Sequence, residues 1–303
     1  KKIISSFYGA LIIILPFAGM IAGVFLYGVS AGLAFKIAAY LFFIELVIIW
    51  VQGIYLSALK DYKRIVRSFT IAILTSMAIS YLLFTLTEIN LTTIALIGMD
   101  VGFAIFVGMT MYHFEQVFPR DEENSYFSFL RYFQKLPSVF LSGIFLYASV
   151  YVHNLIYWFF SGNHLLVADR FRLMPFYDLP VFYAYLTVVP SLVMFVVIVE
   201  TDFYEKFLSF YKNIIDGGTF NSIQIAKKEM QNVLFLRIGF VVEVQLVFTA
   251  LSIALGLIYL PRIGFSMEQL DLFIFLCLGY FFYIIAFIVI HALMYFDDRK
   301  GVL

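Results

Sequence analysis

Long apolar runs separated by short polar stretches set the pattern of this chain. Eight runs stand out, at approximately 3–27, 33–58, 65–87, 91–117, 137–160, 176–200, 235–260 and 269–295. A helix rises about 1.5 Å per residue, so about 20 apolar residues cross a hydrocarbon core about 30 Å thick. Every run is long enough. Inside lipid each backbone N–H and C=O needs a partner within the protein, which leaves helices or closed barrels. Barrel strands alternate apolar and polar positions over about 10 residues. These runs are continuous and much longer. The pattern therefore predicts an all-α, polytopic membrane bundle with eight transmembrane helices.

The connections set an orientation. Of the 20 Lys and Arg residues, only Lys36, Arg170, Arg172 and Arg262 fall on one set of connections, and all others fall on the opposite set. Basic residues are retained on the cytoplasmic side, so both ends of the chain are expected there. The first run is too long for a signal-peptide core and reads as a span. The chain opens on Lys1-Lys2 and not on methionine, which points to an excerpt of a longer protein.

Composition agrees with lipid as the main solvent. Hydrophobic residues make up 63% and charged residues 13% of the chain, with a mean hydropathy of +0.96. Soluble domains carry about 25% charged residues. The net charge is zero, which gives no ground for a nucleic-acid partner. Cys277 is the single cysteine, so no disulfide can form within the chain; its apolar run suits a small buried or lipid-facing residue.

Two connections differ from the rest. The stretch 119–136 carries Pro119, the charge run Arg120-Asp121-Glu122-Glu123 and a mixed aromatic and basic segment from Tyr126 to Lys135. Such a segment suits a helix lying in the membrane interface. It divides the chain into a first bundle, 1–118, a linker, 119–136, and a second bundle, 137–303. The connection at about 201–234 is the most polar. The sixth span is expected to continue through Glu205-Lys206 and Phe210-Tyr211-Lys212 to Gly217-Gly218, with a new helix starting near Asn221 or Ser222.

Ionisable groups inside a span usually face a cavity or a partner, because the bilayer centre penalises charge. Glu45 lies in the second span, Asp100 in the fourth and Glu243 in the seventh. Glu45 and Asp100 fall at a similar middle depth and could meet across one cavity. They suit a lining for a cationic or hydroxylated substrate, a proton or sodium site, or a structural hydrogen bond between helices. His153 and Asn154 adjoin in the fifth span, as candidates for proton relay or polar contact. His113 and Glu115 close the fourth span, His291 the eighth, and His164 lies in a connection. Their scatter offers no metal-ligand spacing. Pro16 and Pro190 are expected to kink their helices; Pro180 is expected in a first turn, where it costs little. No phosphate-binding loop, zinc-protease helix, nucleophile elbow or dinucleotide turn is present, so no catalytic residue or cofactor is assigned.

Certain strings are more specific. They are Tyr177-Asp178-Leu179-Pro180-Val181-Phe182-Tyr183-Ala184-Tyr185-Leu186, followed through Pro190 by Val199-Glu200-Thr201-Asp202-Phe203-Tyr204, Phe210-Tyr211 and Gly217-Gly218-Thr219. Flanking them in order are Tyr55-Leu56-Ser57-Ala58-Leu59-Lys60-Asp61-Tyr62-Lys63 and Tyr295-Phe296-Asp297-Asp298-Arg299-Lys300. In these the chain resembles the PelG-type exopolysaccharide transporters of the multidrug/oligosaccharidyl-lipid/polysaccharide flippase superfamily. The resemblance implies a twelve-helix, two-lobed architecture, of which the eight spans match helices three to ten. It implies passage of a cationic, partly de-acetylated polysaccharide rich in N-acetylgalactosamine across a bacterial inner membrane into a biofilm matrix. It also implies partnership with a cytoplasmic glycosyltransferase and membrane scaffold subunits. Asp178 and Glu200, near opposite ends of the sixth span, would extend an acidic path from Glu45 and Asp100. Competing expectations are a lipid-linked oligosaccharide flippase, a non-transporting scaffold of a synthase complex and, with least support from the motifs, a membrane-embedded glycosyltransferase.

Overall fold

The computed structural model describes residues 3–59, 61–118 and 126–302, except for the side chains of 57–59 and Glu200. Among the described residues eight helical stretches are long and apolar enough to cross a membrane, and the protein is an all-α, multi-pass bundle. The Arg120–Glu123 charge run lies outside the described residues. The chain divides into two compact units. One comprises Lys1–Pro137 with Leu165–Arg172, the other Ser138–His164 with Leu173–Leu303.

The first unit holds α1 (Ile3–Tyr27), α2 (Leu33–Leu59), α3 (Tyr62–Leu86), α4 (Leu91–Val117) and the short α5 (Leu130–Lys135). Asp61 caps α3 by accepting the Arg64 N–H at 3.3 Å, and Asn90 caps α4 by accepting that of Thr92 at 3.0 Å. These side chains occupy donors that the first helical turn leaves bare. Pro16 sits inside α1, which remains one helix from end to end.

Small residues bring α3 and α4 together. Ser68, Ala72, Ser76 and Ser80 recur every four positions on α3; Gly98 and Gly102 do so on α4. A Cβ on Gly102 would meet the Ala72 carbonyl oxygen at 2.5 Å and Ser76 Cβ at 2.9 Å, and one on Gly98 would strike Ser80. Lipid tails offer no hydrophobic drive between helices, so such close backbone approach is what holds them. α4 also packs on α2. Phe42 stacks on Phe103 with ring centres 5.6 Å apart, and Gln52 Nε2 donates to the Val107 carbonyl at 3.3 Å. Thr110 Oγ1 lies 3.0 Å from Gln52 Oε1.

The expected 161–175 connection contains a hairpin, β1 (Leu165–Val167) and β2 (Phe171–Leu173). Its turn residues Ala168 and Asp169 both take positive φ, 48° and 60°, which fits the right-handed twist of a tight hairpin. It docks on the α1–α2 connection: the Ser30 N–H donates to the Ala168 carbonyl at 3.1 Å, and Arg170 lies over Gly28, where a side chain would collide.

The second unit starts with α6 (Pro137–Phe160). The sixth span is not one helix. It comprises α7 (Pro175–Leu186), α8 (Val189–Ile198), a π-helical turn at Val199–Phe203 and α9 (Tyr204–Ile215). Pro180 lies in the second turn of α7, not the first, because the helix begins at Pro175. Its missing N–H deprives the Phe176 carbonyl of the i+4 donor. Gln269 Nε2, from the last long helix, donates to that carbonyl at 3.3 Å. At the break before Pro190 the Thr187 carbonyl accepts from Gln245 Nε2 at 3.3 Å. Two glutamines from neighbouring helices thus serve backbone carbonyls, one that Pro180 leaves open and one at the break between α7 and α8, as lipid demands.

The seventh span belongs to α10 (Phe220–Tyr259), 40 residues long and hence about 60 Å, twice the hydrocarbon thickness. Helix therefore extends well past the apolar run at 235–260. Gly217, at φ 71°, turns the chain after α9, and Thr219 caps α10 by accepting the Ser222 N–H. Ion pairs Lys206–Glu229 at 2.9 Å and Asp202–Arg237 at 2.7 Å tie the two segments together. α11 (Met267–Tyr295) opens on a reciprocal cap between Ser266 and Gln269, and α12 (Arg299–Val302) follows. Val181, Ala184, Val188, Val241, Phe273, Cys277, Ile284 and Ile288 form the core. Cys277 is fully buried there. Replacing Gln245 by Leu keeps the volume but strips the Thr187 carbonyl of its donor. We expect a loss of about 1–2 kcal/mol, read as a lower melting temperature of the detergent-solubilised protein.

Candidate intramembrane site

Asp100 and Glu45 come together in the first unit. Successive helical residues turn by about 100°. Gly98 and Gly102 face α3, so Asp100 between them projects away from α3, towards the side on which α2 packs. Asp100 is 8% exposed, and its Oδ1 is buried without a hydrogen-bond partner. Glu45 is partly buried, and its Oε2 is likewise without a partner. Glu45 and Asp100 sit on helices that pack against each other, α2 and α4, each with one buried carboxylate oxygen. No Lys, Arg or His pairs with either among the described residues. Two ionised carboxylates would repel at low dielectric. The arrangement therefore favours whatever supplies positive charge between them: a shared proton, a bound cation or an ammonium group on a passing substrate. Among the described residues no three His, Cys, Asp or Glu side chains gather as metal ligands.

The other acids are placed differently. Asp178 accepts the Trp158 indole N–H at 2.8 Å through Oδ1 and the Met174 N–H at 2.8 Å through Oδ2. Both oxygens are engaged at the start of α7. Glu243 is exposed on α10, two residues from Val241 and Gln245, which are buried. Glu200 belongs to the π-helical turn, and its side chain lies outside the described residues.

Asn154 lines an aromatic cleft in the second unit, and His153 precedes it on α6. His153 Nδ1 lies 3.0 Å from the Tyr177 hydroxyl, and Tyr177 stacks on Tyr157 with ring centres 3.7 Å apart. The cleft, of about 410 Å³, is lined by Tyr151, Asn154, Trp158, Asp178, Tyr185 and Tyr280 among others. Asn154 Oδ1 is buried there without a partner. Tyr151, Tyr185 and Tyr280 give this cleft aromatic faces, and Asp178 gives it a carboxylate.

The remaining histidines have local roles. His113 Nδ1 accepts from Arg64 at 2.6 Å in its neutral form, while Nε2 lies 3.4 Å from the Asp61 carboxylate. His164 and His291 meet the backbone carbonyls of Ser161 and Phe287. Outside the spans, the hydrogen bond from Arg299 holds the Asp297 carboxyl below the usual carboxylate range, and Glu229 raises the Lys206 ammonium.

Sequence reasoning did not single out the Gly98-x-x-x-Gly102 and Ser76-x-x-x-Ser80 spacings that orient Asp100, although small-residue repeats are a readable signal in an apolar helix. It also passed over the polar seam at the break in the sixth span. There Gln245 and Ser191 are fully buried, with Gln245 Oε1 and Ser191 Oγ lacking partners. The signal was a glutamine two residues from Glu243 in a largely apolar run.

No curated protein and no solved structure matches the chain. The model of the PelG family, described as "Putative exopolysaccharide Exporter (EPS-E)", matches residues 1–303. The chain is therefore a multi-pass membrane protein that belongs to the PelG family of exopolysaccharide exporters.

Proposed function

We propose that the protein conducts a cationic, partly de-acetylated exopolysaccharide outward across the bacterial cytoplasmic membrane, taking it from a synthase on the inner face. The observation that carries this reading is the Glu45–Asp100 pair, whose buried carboxylate oxygens have no cationic partner among the described residues. A polymer bearing ammonium groups supplies one transiently. Each contact must stay weak enough for the chain to move on. The cleft lined by Tyr151, Tyr185 and Tyr280 adds aromatic surface for sugar rings. The basic connections face the cytoplasm on this reading, where the α9–α10 pair would meet the glycosyltransferase and scaffold subunits.

Deletion of the gene tests the assignment. Secreted polymer should fall while synthase activity in isolated membranes persists. Loss of both would favour a scaffold, and an accumulating lipid-linked oligosaccharide would favour a flippase. The scaffold reading has its own observation: α10 continues far beyond its apolar run and presents Lys227 and Lys228 exposed. On the export reading with docking at this surface, Lys227→Glu with Lys228→Glu weakens assembly about tenfold, the effect of about 1.4 kcal/mol. Co-purification of synthase subunits with the tagged protein measures it. Unchanged recovery would place the docking surface elsewhere.

A further inference from the structure

We infer that the groove between α1, the end of α2 and α5 in the first unit binds the phosphate headgroup of an anionic phospholipid. The groove encloses about 470 Å³ and presents Ser6, Tyr55, Ser128, Arg131, Tyr132 and Lys135. Every one of these side chains can donate a hydrogen bond, and none carries negative charge. Arg131 and Lys135 stand four residues apart on α5 and so share a face. Neither forms an ion pair with another described residue. Four hydroxyls around two cations that are unpaired among the described residues match the oxygens of a phosphodiester, which Arg grips through two N–H groups at once.

The walls are fixed by packing. The Tyr126 carbonyl sits against Gly9, where a Cβ would collide, so the turn before α5 is seated on α1. The Tyr55 ring is held edge-on by Phe7 and Phe114, with ring centres 5.4 and 5.8 Å away. Phe7 is buried at 1% exposure. The hydroxyl of Tyr55 is thereby held at a set place in the groove.

Position selects a lipid over a soluble phosphate ester. The groove lies where the apolar run of α1 begins and that of α2 ends, the level at which headgroups sit. Phe127 and Leu130 are exposed beside it, 49% and 42%, and offer an apolar surface for acyl chains. A nucleotide or free phosphate would use the cations and leave these side chains in water.

The test uses the full chain purified in a neutral detergent, with native mass spectrometry as the readout. Phosphatidylglycerol and phosphatidylcholine are titrated separately. Two basic contacts should favour phosphatidylglycerol at least about tenfold. Arg131→Gln with Lys135→Gln should abolish that preference, while Lys212→Gln with Lys228→Gln, on the other unit, should retain it. Both residues of the first pair are exposed, so the fold should survive, and the melting temperature checks this. If the pair fails to fold, Ser128→Ala with Tyr132→Phe keeps both charges and should reduce the preference severalfold. Equal binding of the two lipids, or an undiminished preference in the variants, would overturn the inference. Displacement of phosphatidylglycerol by inorganic phosphate or a nucleoside diphosphate at equal concentration would assign the groove to a soluble ligand instead.

Discussion

Asp100→Asn and Glu45→Gln will each lower secreted polymer by about 10–100-fold at unchanged protein level, and Asp100→Asn will be the more severe. Each substitution keeps shape and hydrogen-bonding capacity but removes the negative charge. A hydrogen bond to a charged group contributes about 1.5–3 kcal/mol, and each 1.4 kcal/mol corresponds to about a tenfold change in rate. Asp100 is the more enclosed of the two, so its contact with a passing cation is the less screened by water. The neutral pair should also be more stable than the native one, because an uncompensated intramembrane charge is costly. Melting in detergent should therefore rise or hold while secretion falls. That opposite movement separates a functional charge from a structural one. Unchanged secretion in both variants would remove the carboxylate pair from the transport path and leave the aromatic cleft as the candidate.

Gly102→Leu will remove most folded protein. The first added carbon meets a backbone carbonyl oxygen at 2.5 Å, and a carbonyl in the middle of α3 cannot turn aside. Overpacking of a well-filled interface costs about 1–3 kcal/mol and occasionally more; a leucine against backbone belongs at the upper end. Membrane proteins have little stability to spare, since folded domains in general retain only about 5–15 kcal/mol. Gly102→Ala should show a smaller loss in the same direction. Gly108 provides the control on the same helix: its Cβ would meet nothing within 4 Å, so Gly108→Leu should change stability by no more than about 0.5 kcal/mol. Thermal melting and the monodisperse yield after detergent extraction measure both. Equal behaviour of the two leucines would contradict the close approach of α3 to α4.

Much of the architecture is legible without coordinates because lipid imposes a single local requirement. A backbone that cannot bond to water must form helix, and an apolar run must be about 20 residues long to cross. Eight runs satisfy this independently of one another. The rule is silent once the chain leaves lipid. There other signals are needed: Gly217-Gly218 and the polar start near Asn221 announced that α9 and α10 extend past the apolar runs at 176–200 and 235–260, whereas the hairpin at Leu165–Leu173 escaped notice. Its turn uses Ala168 and Asp169 at positive φ, where glycine or asparagine would have announced it. Pro180 was misplaced for a related reason. The start of α7 is fixed by Pro175 and the Asp178 carboxylate, which hydropathy does not register.

The sequence by itself determined the number of spans, their helical nature and which acids lie in the apolar runs, because each depends on one segment and its solvent. The tertiary structure decided which of those acids meet. Gly98 and Gly102 commit one face of α4 to α3 and leave Asp100 on the opposite face, on a helix that also packs on α2, which carries Glu45. Asp178 instead surrenders both oxygens to Trp158 and the Met174 backbone. Whether a buried carboxylate is satisfied or left waiting for a partner depends on groups that other helices bring to it. Those are contacts between segments, and no periodicity along one segment encodes them.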